Sequence, residues 1–402
     1  MFTEALSAAF KSLEIRGAEA TSVRYKHATS CLVAYRLDLA EGPARVYARA
    51  HRPDAVEKLA KVAIHAPVPG PLGAGGAVLG DLSVAAYAFP NDRRVEALPR
   101  LVDDEGRARL LTKALAGQPG GLDRGTLETL RYKPERRFVA RLDAAGGASA
   151  LVKAYDHEDY GAAARAAKAV SSTARLSVPR LLGRSARRAL LIFEWLPGDT
   201  LGDVLLDPHR APGAASAVGA ALAELHGQAA PGLPSATPER EVEALRSAVV
   251  ATAILAPELA SRADELSDRL ATSAPASPGT AALHGDFSAD QVLVAGETVA
   301  IIDLDQSARG DPLADLGSYL ADLERRVIVG EASRVTADSA GAGLVEGYER
   351  AIGHEVDRAG LAWHLAARLL RLTPDPFRNR DRRWPALVAA LLERAERAAA
   401  DA

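Results

Sequence analysis

Apolar and polar residues alternate with a period of two through several stretches in the first half of the chain. Such alternation is typical of strands that bury one face. It predicts strands or hairpins over residues 22–39, 44–51, 77–89, 130–143, 150–155 and 180–196. Helical spacing predicts helices over residues 3–15, 54–62, 98–116 and 160–170.

The second half of the chain has mostly helical spacing of its apolar residues. It predicts helices over residues 214–227, 237–254, 257–271, 313–326, 341–353, 358–372 and 384–399. Short strand patterns occur at residues 281–284, 291–294 and 298–302. A sheet-rich first half and a helix-rich second half predict the α+β class with segregated layers.

Two segments of the first half repeat the same order of strands and helix. The aligned pieces are residues 24–26 with 131–133, 46–49 with 150–153, and 78–80 with 181–183, at offsets of 107, 104 and 103. We interpret this as a duplicated sheet-and-helix unit with a degenerate first copy. Chance similarity between hairpins of like composition is the alternative. The predicted domains are residues 1–121, 122–197 and 198–402.

Composition limits the classes of function. The chain has 402 residues, enough for two or three domains. Its net charge of −3 makes a nucleic-acid partner unexpected. The one cysteine, Cys31, excludes an intramolecular disulfide and fits a cytoplasmic location. No apolar stretch predicts a membrane span, and the N-terminus lacks the apolar core of a signal peptide.

The densest polar chemistry lies in residues 283–317, LHGDFSADQVLVAGETVAIIDLDQSARGDPLADLG. Asp286 and Asp303 each follow a predicted strand, and Gln291 opens the hairpin that Asp303 closes. The turn of that hairpin is expected to bring Gln291 and Asp303 close together. Amide and carboxylate oxygens are suitable ligands for a hard cation such as Mg²⁺.

The two motifs in this stretch resemble those of the aminoglycoside phosphotransferase and choline kinase family. The first is HGDFSADQ, in which His-x-Asp is followed after four residues by an amide; the second is IIDLD followed by GDPLADLG. The resemblance covers residues 125–330 well and residues 1–120 only through the proposed duplication. It implies a bilobal protein-kinase-like fold and similarity to sugar kinases with an N-terminal cap.

The resemblance implies roles for the polar residues of the first motif and of the IIDLD strand. Asp286 would accept or orient the proton of the substrate hydroxyl. Gln291 and Asp303 would hold Mg²⁺ on the nucleotide phosphates, although the family usually has Asn where Gln291 stands. Asp305 would be either a second metal contact or a turn residue.

Three further residues have predicted structural roles. His284 would brace the catalytic loop, and Asp315 would anchor it. Asp311 precedes Pro312 and an apolar helical pattern, which predicts an N-cap with proline at the first helical position.

The second copy would form the nucleotide-binding lobe. Lys153 lies in ALVKAY, a strand position typical of the lysine that meets nucleotide phosphates. Upstream, RYKPERRFV replaces a glycine-rich loop, and Lys133 or Arg136 would assist its backbone. Backbone groups after the last strand would bind adenine, and these belong to Glu194, Trp195 and Leu196.

Other features of this lobe depart from the family pattern. The helix after Lys153 lacks the usual glutamate, and Glu158 or Asp159 at its start is the substitute that we predict. In the first copy Arg49 stands at the position of Lys153. That copy is expected to be catalytically silent and either to frame the active lobe or to be a plain structural extension.

The resemblance implies transfer of the γ-phosphoryl group from ATP, or alternatively GTP, to a small-molecule hydroxyl with Mg²⁺ as cofactor. A sugar, an aminosugar or an aminoglycoside-like acceptor is expected, and no membrane partner. The candidate acceptor contacts are Tyr319, Asp322, Glu324, Trp363 and His364. The competing hypothesis is a nucleotide-binding pseudokinase or scaffold without turnover.

Overall fold

The structure is a computed structural model that describes residues 15–402 apart from positions 28, 53, 55, 71–72, 117, 119, 208, 276–278 and 297. The predicted helix at residues 3–15 lies outside the described residues except for its last position. The chain divides into two compact units. The first comprises residues 1–160, 181–195 and 378–381, and the second comprises residues 161–180, 196–377 and 382–402. The division into three domains remains a prediction.

The first unit begins with an antiparallel five-stranded sheet, which we call the first sheet. Its strands are β1 (Ile15–Lys26), β2 (Ser30–Leu39), β3 (Gly42–His51), β4 (Gly76–Leu79) and β5 (Val84–Ala88), in the order β1-β2-β3-β5-β4. Two short helices follow β3, namely α1 (Val56–Ala60) and α2 (Val62–His65). Two predictions are corrected here: residues 22–39 form two strands around a turn, and the single helix over 54–62 is two helices.

Helices α3 (Leu98–Val102) and α4 (Asp104–Ala114) replace the single helix predicted over residues 98–116. Asp103 separates them because its backbone is extended and its side chain accepts a hydrogen bond from Gly106 N–H at 2.7 Å. This is an N-cap, so a new helix begins at the break. Both helices contribute apolar side chains to a core with the sheet that follows.

The second sheet also has five antiparallel strands. They are β6 (Thr126–Lys133), β7 (Arg137–Asp143), β8 (Ser149–Tyr155), β10 (Leu181–Ser185) and β11 (Leu190–Glu194), in the order β6-β7-β8-β11-β10. Helix α5 (His157–Ala169) and the short strand β9 (Leu176–Ser177) lie between β8 and β10 in the chain. The two sheets therefore share one strand order, with helix inserted after the third strand of each, which supports the proposed duplication.

The strand registers refine the alignment of the two copies. Leu79 pairs with Val84 at the closed end of the first β4–β5 hairpin, and Ser185 pairs with Leu190 in the second copy. These pairs give an offset of 106, so the offset of 103 taken from sequence was wrong. On the third strand, the partners of Ala50 and Ala154 are again Val84 and Leu190. The predicted offset of 104 is therefore confirmed there, and Arg49 corresponds to Lys153.

The second unit is mainly helical. Its helices are α6 (Leu201–Val204), α7 (Ala211–His226), α8 (Pro238–Leu255), α9 (Ala260–Thr272), α10 (Leu313–Val329), α11 (Arg334–Ile352), α12 (Arg358–Leu372), α13 (Asp375–Arg378, which crosses into the first unit) and α14 (Trp384–Ala398). Its remaining strands are β12 (Asp199–Thr200), β13 (Ala281–Leu283), β14 (Val292–Ala295), β15 (Thr298–Ile301) and β16 (Ala308–Gly310). Within the described residues, no helix is both long and apolar enough to cross a membrane.

Helix α11 begins seven residues before its predicted start because Ser333 caps it, accepting a hydrogen bond from Thr336 N–H at 3.0 Å. The same helix packs closely on α7 at two glycines. A Cβ atom on Gly219 would lie 2.0 Å from the carbonyl oxygen of Leu344, and one on Gly347 would lie 2.0 Å from that of Ser216. The close approach places His226, the last residue of α7, beside Tyr348 of α11.

Candidate active site

The loop that carries Asp286 begins where β13 ends, and two of its backbone N–H groups bind one carboxylate. His284 N–H donates to Asp315 at 2.6 Å, and Gly285 N–H donates to the other oxygen at 2.9 Å. Gly285 has φ +84°, and a Cβ there would lie 2.2 Å from the carbonyl oxygen of Gln306. Only glycine fits both conditions, so this position fixes the path of the loop.

Asp315 is almost fully buried on α10 and is held by a second layer of side chains. His226 Nε2 lies 3.1 Å from its carboxylate, and His226 Nδ1 lies 2.9 Å from the hydroxyl of Tyr348. Burial alone would raise the pKa of Asp315, but the hydrogen bond and charge of His226, together with the hydrogen bond from Gly285 N–H, outweigh it and hold the pKa below its ordinary value. Asp315 therefore stays a carboxylate that accepts hydrogen bonds from the loop.

The backbone N–H and carbonyl oxygen of Ile302 join the other candidate positions. His284 Nδ1 accepts a hydrogen bond from Asp286 N–H at 3.2 Å, so His284 Nε2 carries the proton that binds Ile302 O at 2.8 Å. Ile302 N–H donates to the carbonyl oxygen of Gln291 at 2.9 Å, and Asp303 is the next residue. The loop of Asp286, the Gln291 carbonyl and Asp303 thus meet around the backbone of one residue, Ile302.

Asp303 has a left-handed backbone, φ 60° and ψ 44°, that few non-glycine residues adopt. Asp305 is buried in the short turn that follows. Within the described chain, no three His, Cys, Asp or Glu side chains form a group that could hold a metal ion. The predicted ligands, two carboxylates and the amide of Gln291, nevertheless fit Mg²⁺, which usually takes one or two carboxylates and completes its shell with water and phosphate oxygens.

Arg368 on α12 is the neighbour of Asp286 that sequence reasoning missed. Its Nη2 forms an ion pair with Asp286 Oδ1, and its Nε is buried without a hydrogen-bond partner among the residues that the structure describes. The two residues are 82 positions apart, and the local pattern RLLRL gives no signal for the contact. Asp286 is about half exposed, so its carboxylate remains accessible beside this guanidinium.

Asp311 lies one residue before Pro312, the N-cap residue of α10, so the predicted N-cap is displaced by one position. Its Oδ1 accepts a hydrogen bond from Leu313 N–H at 2.9 Å at the start of α10. Its Oδ2 lies 3.3 Å from His364 Nε2, so His364 is already engaged. Burial raises the pKa of Asp311, but the bonds from His364 and Leu313 outweigh this effect and hold the pKa below its ordinary value.

Two of the candidate acceptor contacts on α10, Tyr319 and Asp322, are buried within the protein. Tyr319 is fully buried, and its hydroxyl has no hydrogen-bond partner within the described structure. Asp322 accepts a hydrogen bond from Ala289 N–H at 3.2 Å, which braces the chain just after the loop that carries Asp286. Its carboxylate also binds Arg325 and Arg326.

Glu324 and Trp363 are engaged in the helical packing of the second unit. Arg334 and Arg394 bind the Glu324 carboxylate at 2.8 and 2.9 Å. Trp363 is buried, and its Nε1 donates to the carbonyl oxygen of Leu270 at 2.9 Å. The structure therefore surrounds the acidic candidates with arginines.

In the first unit, Lys153 is buried on β8, with its Nζ 5.7 Å from the ring centroid of Phe193. Lys133 ends β6 and pairs with Arg137 across the hairpin. Arg136 lies in the loop between them, 3.6 Å from Asp159. Strand β8 and this loop are the parts of the first unit with which a nucleotide is expected to interact.

The proposed glutamate substitute Glu158 forms an ion pair with Arg94 at 2.7 Å. The segment predicted to bind adenine begins at Glu194, the last residue of β11, which pairs with Ala150. Arg141 Cζ lies 4.7 Å from the ring centroid of Trp195.

Glu194 and Trp195 belong to the first unit and Leu196 to the second.

Residues 124–364 match the model of the phosphotransferase enzyme family. The match spans more than half of the chain, so the protein belongs to this family and is a small-molecule phosphotransferase. The family and the class of enzyme predicted from the two motifs are both confirmed. The chain matches none of the curated proteins with which it was compared.

Solved structures share the fold at low identity. A choline kinase from Cryptosporidium parvum Iowa II is 10% identical, with a TM-score of 0.53, covering 74% of this chain and 95% of that chain. A Plasmodium vivax ethanolamine kinase is 10% identical, with a TM-score of 0.50 and coverages of 77% and 89%. A spectinomycin phosphotransferase in complex with ADP and spectinomycin is 13% identical, with a TM-score of 0.50 and coverages of 73% and 99%. These matches confirm the predicted α+β, protein-kinase-like fold.

Proposed function

We propose that this protein transfers the γ-phosphoryl group of ATP to a hydroxyl group of a small molecule. The observation that carries the proposal is the junction at Ile302, where the loop of Asp286, the Gln291 carbonyl and Asp303 meet. Phosphoryl transfer depends mainly on positioning and charge neutralisation, and a junction of this kind supports such roles for Asp286, Gln291 and Asp303.

Asp286 orients the attacking hydroxyl and accepts its proton. The loop around it is rigid because His284 and Gly285 are bound to Asp315 and the Asp286 N–H is bound to His284. Gln291 and Asp303 would hold Mg²⁺, and Asp305 would be either a second metal contact or a turn residue. Bound there, Mg²⁺ supplies positive charge to the phosphate oxygens.

Lys153 supplies a fixed positive charge to the phosphates of the nucleotide from the second sheet. Its burial among apolar strand residues restricts its side chain and lowers the local dielectric, which strengthens its attraction to phosphate. The loop over residues 134–136 contributes backbone groups, and residues 194–196 bind the adenine ring.

We propose a neutral polyhydroxy acceptor, a sugar or a cyclitol, rather than a polycationic aminoglycoside. Arg368 places a guanidinium against Asp286, which would repel an ammonium group there. The acidic side chains that would attract such a group are paired with arginines, Asp322 with Arg326 and Glu324 with Arg334.

The test is ATP consumption with Mg²⁺ over neutral sugars, cyclitols, aminosugars, aminoglycosides and choline. Asp286→Ala is expected to lower the acceptor-dependent rate by ~10²–10⁴-fold, the usual contribution of a positioned acid or base. Asp286→Asn is the matched variant, because it keeps the size of the side chain and removes its basicity. Thermal unfolding of both variants checks that they fold.

The outcomes separate the hypotheses. A signal with neutral sugars or cyclitols that Asp286→Asn abolishes supports the proposal, whereas a signal confined to aminoglycosides overturns the proposed acceptor class. Full activity of Asp286→Asn would contradict the role of Asp286. Binding of ATP without turnover of any acceptor would favour the nucleotide-binding scaffold.

A further inference from the structure

Glu135 is an acidic residue buried at the tip of the loop between β6 and β7, within KPERR. Its side chain is fully buried, and its backbone has φ +57°. A buried carboxylate is costly unless it is paired, and a left-handed non-glycine residue persists only where its surroundings hold it. Both features indicate that the surroundings of the loop fix its conformation.

Three arginines hold the Glu135 carboxylate, and all come from the N-terminal part of the first unit. Arg24 on β1 binds it at 3.2 Å, and Arg49 on β3 forms a shorter contact. Arg93, which follows β5, binds both carboxylate oxygens, at 3.0 and 3.2 Å. Arg24 and Arg49 belong to the first sheet, so the first copy binds the loop of the second copy.

The backbone of the loop is bound from the same side. Glu135 N–H donates to Asp92 at 2.8 Å, and the hydroxyl of Tyr132, at the end of β6, donates to the same oxygen at 2.7 Å. The other Asp92 oxygen accepts from the N–H groups of Arg94 and Val95. Asp92 therefore joins the segment after the first sheet to the loop and to the strand that leads into it.

Arg49 occupies the strand position that Lys153 occupies in the second sheet, yet its guanidinium binds Glu135. The position that presents a cation to phosphate in one copy is used in the other to hold the loop.

We propose that the first sheet is a positioning device for the nucleotide: Arg24, Arg49 and Arg93 set the conformation of the 134–136 loop, and so the affinity for ATP, without touching the nucleotide. This inference rests on the proposed function, in which that loop contacts the phosphates. Arg24, Arg49 and Arg93 are accordingly positioning residues, and they determine how well the loop backbone is preorganised.

The experiment measures binding of ADP and ATP by titration calorimetry and the separate KM values for ATP and acceptor. The variants are Arg49→Met, Arg24→Met and Glu135→Gln in the full chain. Nucleotide affinity is expected to fall by about 3- to 30-fold, the range for residues that act through a neighbour, while the KM of the acceptor is unchanged.

The matched control is Arg36→Met, which breaks another arginine–glutamate pair of the first sheet. Arg36 binds Glu19 at 2.6 Å, and both side chains are about two-thirds exposed. This variant is expected to keep the parental nucleotide affinity. Amide hydrogen exchange provides a second readout, and Arg49→Met is expected to speed exchange at residues 135 and 136.

The outcomes distinguish this inference from the proposed function. Nucleotide binding that is unchanged in Arg24→Met and Glu135→Gln overturns the inference alone. A parent protein that binds no nucleotide overturns the proposed function and the inference with it. If Arg49→Met fails to fold, the more exposed Arg24 decides the matter, since its side chain is 33% exposed.

Discussion

The two sheets of the first unit have the same strand order but carry different chemistry. Each places a basic residue on its third strand, Arg49 in the first sheet and Lys153 in the second. Arg49 binds Glu135, whereas Lys153 is buried beside Phe193 on the strand expected to face the nucleotide. A shared topology therefore does not imply a shared function, because function depends on the side chains that each copy presents.

The segments that follow β5 and β11 also differ between the two copies. After β5, Asn91 is fully buried and binds both the N–H and the carbonyl oxygen of Val68, at 3.0 and 2.8 Å. After β11, Trp195 and Leu196 are only half-buried. Asn91 therefore ties the segment after β5 to the chain at Val68 and Gly75, whereas the corresponding residues Trp195 and Leu196 of the second copy stay partly exposed.

Substitution of Arg49 and of Lys153, the basic residues at corresponding positions, is expected to give the largest difference in kinetics between the two sheets. Lys153→Met should lower kcat by about 10²–10³-fold, as loss of one fixed charge from a reacting oxygen typically does. Arg49→Met should act on the KM for ATP and leave kcat nearly unchanged. Steady-state kinetics of both variants check this, and an equal loss of kcat would break the distinction between the copies.

Substitutions of Gly80 and Gly183, which the offset of 103 would pair, test the corrected alignment of the two copies. A Cβ on Gly183 would lie 2.4 Å from the carbonyl oxygen of Ala114, whereas one on Gly80 meets nothing within 4 Å. Gly183→Ala should lower the free energy of unfolding by roughly 1–3 kcal/mol through overpacking. Gly80→Ala should have almost no effect. Urea unfolding measures both, and equal effects would restore the offset of 103 that pairs these glycines.

The smallest expected effect is a pH dependence of the free energy of unfolding that arises from two histidines of the first copy. Burial, and then the charge of Arg93, lowers the pKa of His65; burial and Arg49 likewise lower that of His51. The unfolded chain then binds protons at a higher pH than the folded chain. The free energy of unfolding should therefore fall as the pH drops through the ordinary value of 6.5.

Urea unfolding at pH 7.5 and 5.5, as test conditions on either side of that value, measures this dependence. The double variant His51→Gln with His65→Gln should show a weaker dependence, because both groups that resist protonation in the folded state are gone. A dependence as steep as that of the parent would place its origin outside the first copy.

Local patterns in the sequence predicted much of the fold and the order of the candidate site residues along the chain. Alternation located the strands of both sheets, and helical spacing located α7 to α12, with errors mainly at ends and caps. Ser333 and Asp103 are examples, because the side chain of each caps the first turn of a helix at a position that the apolar pattern does not mark.

The spacing of Asp286, Gln291 and Asp303 follows from the local sequence, since short loops and one hairpin connect them. The pairing of Arg368 with Asp286, 82 residues away, and of Arg24 with Glu135, 111 residues away, depends instead on the packing of distant elements. The reason is physical: hydrophobic periodicity and capping depend on neighbours in the chain, whereas an ion pair forms where the packing of distant elements places two charges together.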